Sequence, residues 1–225
     1  IWRYPVFDGI PGAMLLKTLL GILIGLFIGF LMPILCQHSP NMHRGYTLYN
    51  AAVVAGFIGI FLSAVLFRAI GVDIPTNTDL GPSHLLVCNA FAISVSVMTA
   101  AAGFVMNGCS LKGYSKIIKS SGFKCDFIRD AGLPLTLINI GVCGLFITMY
   151  YNLIGASMTG PTLGCIICIL AVAPCGAHIF NMLPIILGYA IASTFCTYEL
   201  NAQSIIVGIC FAQALCPVAG SFGGI

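Results

Sequence analysis

Seven polar side chains lie inside or at the ends of long apolar runs: Asn50, Asn89, Asn139, Thr159, Thr162, His178 and Asn181. Burying such groups in hydrocarbon is costly, so they are the first candidates for function. Amides and hydroxyls exchange hydrogen bonds without a trapping charge. His178 titrates near neutrality when unperturbed. No Asp, Glu or Arg falls at the middle of an apolar run, and Lys17 lies close enough to an end to snorkel. A carboxylate proton relay, a sodium site built on acids and a voltage sensor are therefore disfavoured. The set suits a small neutral polar solute or a weakly charged ion. The plain alternative for any one Asn is a helix-to-helix hydrogen bond. That is the favoured reading for Asn89.

Thr159-Gly160-Pro161-Thr162-Leu163-Gly164 is the most informative stretch. Pro161 suits the first turn of a helix, with Thr159 as its N-cap. The free N–H groups and positive dipole end would then point into the protein. After it, Cys165-x2-Cys168-x6-Cys175-x2-His178 has metal-like pairs. Cys and His are good zinc ligands. No turn residue separates the first two, and the spacer is short for a zinc finger. The expectation is no metal and no cofactor, with Cys165, Cys168, Cys175 and His178 as the minor alternative. Free Cys otherwise packs as a small hydrophobe.

The elements that must position these residues follow from composition. Of 225 residues, 59% are hydrophobic and 7% charged. Mean hydropathy is +1.06. A soluble domain carries about 25% charge, so a soluble enzyme, a disordered tail and a nucleic-acid binder are excluded. The continuous apolar runs also exclude a transmembrane β-barrel. The fold class is an all-α integral membrane protein. We expect a polytopic bundle of about six or seven membrane segments, one or two of them broken or re-entrant.

The apolar runs are 15–36, 46–70, 84–106, 131–154, a short 163–174, 185–198 and 204–215. Polar loops are expected at 37–45 and 71–82, and a helix start at Pro184. The last run should break into glycine-rich backbone after Leu215. Gly21, Gly25 and Gly29 share one face of the first run, a spacing that favours close helix packing. Five of the nine basic residues lie in 107–130: Lys112, Lys116, Lys119, Lys124 and Arg129. The positive-inside rule puts that loop in the cytoplasm.

Several of these stretches together resemble a known family. They are Gly45-Tyr-Thr-Leu-Tyr-Asn50, Asp126-Phe127, Ile138-Asn139-Ile-Gly141, Thr159-Gly-Pro-Thr-Leu-Gly164, His178-Ile-Phe-Asn181-Met-Leu-Pro184 and Ala214-Leu-Cys-Pro217-Val-Ala-Gly220. The pattern resembles an uncharacterised family of bacterial polytopic membrane proteins, named only as a domain of unknown function. The resemblance implies a bacterial inner-membrane protein about twice as long, with two related halves. This chain would be a fragment forming a single membrane domain. Residues 1–70 would end the first half, and 71–225 would form most of the second. It also implies that His178, Asn181 and Pro184 belong to the pattern, whereas Cys165, Cys168 and Cys175 do not. Ala177 stands where the family tends to carry Lys.

The function expected is a permease or channel, not an enzyme. Its pathway would lie near the broken helix 159–184 and use Asn50, Asn139, Thr159, Gly160, Pro161, Thr162, His178 and Asn181. The alternatives are a membrane-embedded metal or redox protein and a non-transporting assembly subunit. The expected partners are the lipid bilayer, a small solute or ion and, as one candidate, a second copy of the chain. No nucleic acid is expected.

Overall fold

The computed structural model describes residues 9–65 and 82–222, with the side chains of Asn50 and of residues 82–84 outside that description. Of the predicted 71–82 loop, residues 71–81, which include Asp73 and Asp79, fall outside the described residues, and Pro82 begins a helix. Among the described residues every regular element is helical. Four helical stretches among the described residues are long and apolar enough to cross a membrane: Ala13–His43, Leu85–Met106, Leu133–Leu153 and Gln203–Phe222. Three shorter apolar helices accompany them. Four helices of spanning length stand against the six or seven segments expected; the three shorter apolar helices do not reach that length, so the expected count is not confirmed.

The chain forms two compact units. The first contains α1 (Ala13–His43) and α2 (Asn50–Ser63), packed against each other. The predicted polar loop 37–45 is instead mostly helical. Pro33 and Pro40 lie within α1, and the helix ends where Arg44 turns left-handed at φ 53° and donates to Pro40 O at 2.8 Å. Proline is tolerated in membrane helices where neighbouring groups re-satisfy the backbone. The stripe of Gly21, Gly25 and Gly29 lies on α1. A Cβ added at Gly25 or Gly29 would meet no atom within 4 Å.

The second unit is the larger and holds the candidate site. It contains α3 (Pro82–Met106), α4 (Ser115–Ile118), α5 (Phe127–Ala131) and α6 (Leu133–Leu153). They are followed by α7 (Gly160–Val172), α8 (Ile179–Phe195), α9 (Gln203–Ala212) and α10 (Cys216–Phe222). Short 3-10 turns at Ala173–Cys175 and Gln213–Leu215 extend α7 and join α9 to α10.

Helices α3 and α6 approach closely because glycines occupy their contact. A Cβ on Gly103 would meet Ile138 N at 2.7 Å. One on Gly141 would meet Ser96 O, with Ala100 Cβ at 2.6 Å, and one on Gly144 would meet the Ser96 hydroxyl. Lipid supplies no hydrophobic drive between helices, so dispersion contacts at this range hold the pair together. Asn89 and Asn152 add a reciprocal amide pair between these helices, at 3.0 and 2.7 Å.

Two other boundaries differ from expectation. Helix α8 starts at Ile179, five residues before Pro184, because His178 and Asn181 cap its first turn. The chain also stays helical past Leu215, through Phe222. Pro217 falls in the first turn of α10, where a missing N–H costs nothing.

Candidate functional site

Thr159 caps α7 through its hydroxyl oxygen, which accepts from Thr162 N–H at 3.2 Å, and Pro161 lies in the first turn. Gly160 and Pro161 face outward. The Thr162 hydroxyl donates to Ser157 O at 2.8 Å. Thr159 Oγ1–H therefore remains to donate to Gln203 Oε1, at the first position of α9. This orients the Gln203 amide: its oxygen is used, and its Nε2 is buried with no partner.

From Gln203 a file of side chains descends one face of α9. Gln203, Ile206, Cys210 and Gln213 are spaced by three, four and three residues, about 80° of arc and about 15 Å of rise. Ile206, Cys210 and Gln213 are fully or almost fully buried. Tyr151 of α6 donates to Ile206 O at 3.3 Å. Cys210 Sγ lies 3.5 Å from Cys165 O on α7. At the helix break Gln213 Oε1 accepts from the Cys216 thiol at 3.6 Å. Its Nε2 is buried without a partner.

Beyond Gln213 lies a saturated network at the end nearer the basic loop. Asn139 Nδ2 donates to Ala177 O at 2.8 Å and to Ala173 O at 3.3 Å. Asn139 Oδ1 accepts from Tyr114 O–H at 3.1 Å and from the Cys143 thiol at 3.8 Å. Burial pushes the Tyr114 phenol up, so it stays a donor at neutral pH. Asn181 Oδ1 accepts from His178 N–H at 2.9 Å, and its Nδ2 donates to Gly176 O at 2.8 Å.

His178 is 1% exposed and sits between α7 and α8, outside both helices. Its Nε2 lies 2.8 Å from Ser120 O, so Nε2 carries the proton. Nδ1 faces the Asn181 backbone N–H in a capping-box arrangement, without a well-formed hydrogen bond. Burial lowers the His178 pKa, against a smaller opposing effect of the Ser120 carbonyl. The ring is therefore neutral at physiological pH.

The basic loop locks onto this junction through main chain. Gly122 has φ +83° and Gly176 φ +134°, values that L side chains rarely adopt. A Cβ on Gly176 would lie 2.6 Å from Gly122 O, and one on Gly220 would lie 2.9 Å from Ser121 Cα. Leu48 N–H donates to Ala214 O at 2.9 Å beside the helix break.

Thr159 and Thr162 therefore lie at one end of α7, and Asn139, His178 and Asn181 gather at the other. The two ends are about 20 Å apart at helical rise. Asn50 begins α2, and its side chain lies outside the described residues. The alternative metal set does not converge. Cys165 and Cys168 lie one turn apart on α7, whereas Cys175 and His178 lie beyond its far end. No His, Cys, Asp or Glu group among the described residues has metal-binding geometry. Sequence reasoning missed Gln203, Gln213, Tyr114 and Ser120. Gln213 sits inside an apolar run and met the same criterion as Asn89. Gln203 was read as turn, and nothing local marks Tyr114 or Ser120.

Comparison with known families places the chain. Residues 7–68 and 106–224 match the model of a family described as a protein of unknown function (DUF1576). The chain belongs to that family. No curated protein and no solved structure matches it. Family and fold together give an all-helical membrane protein whose larger unit carries the buried polar file.

Proposed function

We propose that the larger unit conducts a small polar solute across a bacterial inner membrane, with the α7–α9 seam as its pathway. The observation that carries this reading is the file from Gln203 to Gln213. Two glutamine amides, about three turns apart along one helix face, keep buried Nε2 donors without a partner. An unpaired buried amide costs about 1–3 kcal/mol, a cost that a hydrogen-bonding solute at the site would offset. Thr159 and Thr162 shape the entrance by fixing the Gln203 amide. Asn139 and Asn181 hold the opposite end, because their side-chain amides are committed to protein partners, and His178 Nε2–H donates to Ser120 O. They position the pathway and do not line it.

Catalysis fits poorly. The described seam contains no carboxylate, and the His178 Nε2 proton is given to Ser120 O. The positive-inside rule puts the 107–130 loop in the cytoplasm, so solute would pass between the Thr159 side and the His178 side. The test is an osmotic-shock assay on proteoliposomes containing the full chain. Acetamide and glycerol should equilibrate faster than in protein-free vesicles. Equal rates for both solutes would refute the proposal.

A further inference from the structure

We propose that Gln213 is the selectivity-determining residue of this pathway, and that it selects a neutral solute carrying an oxygen hydrogen-bond acceptor. The inference rests on the permeation reading above and adds the class of solute.

Gln213 is fully buried, near the middle of the Gln203–Phe222 span, where α9 breaks into a 3-10 turn. A break at that depth survives only where protein buries it or where it lines a pathway. The amide orientation is set by its neighbour. The Cys216 thiol has one hydrogen to give and Gln213 Oε1 takes it, which leaves both Nε2 hydrogens open. At the other end of the file, the Thr159 hydroxyl orients Gln203 the same way. Both open groups are therefore donors.

The nearby acceptors are already engaged. Asn139 Oδ1 accepts from Tyr114 O–H, Ala177 O accepts from Asn139 Nδ2, and the single Cys143 thiol hydrogen goes to one of these two oxygens. A carbonyl-bearing solute would find donors at both ends of the file. An ammonium-type cation has only hydrogens to offer and would meet the positive ends of N–H dipoles. It would lose its water without replacement.

The experiment measures acetamide and methylammonium fluxes in proteoliposomes of the full chain. Wild type should favour acetamide. Gln213→Met, which keeps the shape and removes the donor, should lower acetamide flux about tenfold, the scale of one lost hydrogen bond. Methylammonium flux should not change. Gln213→Glu should shift the ratio toward methylammonium. An unchanged ratio in Gln213→Met overturns the selectivity role while leaving permeation standing. Wild-type flux no greater than in empty vesicles overturns permeation, and this inference with it. If Gln213→Met fails to fold, Gln213→Asn withdraws the donor by one methylene and must show the same loss.

Discussion

Asn139→Leu should destabilise the larger unit by about 2–3 kcal/mol. The substitution keeps the number and branching of side-chain heavy atoms and removes the amide. It deletes the bonds to Ala173 O and Ala177 O at 3.3 and 2.8 Å and the bond from Tyr114 O–H at 3.1 Å. Interhelical hydrogen bonds inside membranes average about 0.6 kcal/mol each, with a maximum near 1.7. Three of average strength give about 2 kcal/mol, and the Tyr114 hydroxyl stranded beside Leu adds up to about 1. The assay is reversible unfolding in mixed micelles, or steric trapping in bicelles. A double-mutant cycle with Tyr114→Phe isolates one bond and should return a coupling of about 0.6 kcal/mol. A loss below about 0.5 kcal/mol for Asn139→Leu, with no coupling to Tyr114, would show that the amide does not hold the 173–177 turn.

Three further outcomes follow from the geometry. Gly141→Val should separate α3 from α6 and cost about 1–3 kcal/mol, the usual range for overpacking, read as a lower unfolding temperature. Asp126 caps α5 by accepting from Ile128 and Arg129 N–H at 3.1 and 3.3 Å, so Asp126→Ala should cost about 1 kcal/mol in micelle unfolding. Because burial lowers the His178 pKa, its contribution to stability is complete above the unfolded value of about 6.5 and is lost as pH falls through the folded one. Unfolding curves between pH 7.5 and 5 should show that loss in wild type and a flatter profile in His178→Gln.

The helical membrane class was legible because charge is scarce enough to decide it. Thr159 as a cap was also legible, since N-capping is local chemistry: the oxygen, the proline and the first turn are contiguous in sequence. What pairs with Asn139 was not legible. Its partners lie 25, 34 and 38 residues away, and no local pattern encodes which amide will meet which carbonyl. The helix start at Ile179 was hidden by Pro184, because proline was read as a boundary where the His178–Asn181 cap outweighs it. Gln213 was overlooked among apolar neighbours, although a polar side chain inside an apolar run meets the same criterion as Asn89; the structure adds that its Nε2 is buried without a partner. The α3–α6 contact was unreadable for a related reason. Ser96, Ala100, Gly103, Gly141 and Gly144 are ordinary small residues until two backbones are seen to touch.

The loop contact at Gly122 and Gly176 also bears on how the molecule assembles. Helices α7 and α8 are each too short to settle in a bilayer on apolar length alone. They leave the ribosome after Ser120–Gly122 has been made and after α6 is complete. The residues they dock on are therefore synthesised first, and the pair meets them through main chain at Gly122 and Gly176. A side chain at either glycine is expected to act first on biogenesis, lowering the amount of folded protein.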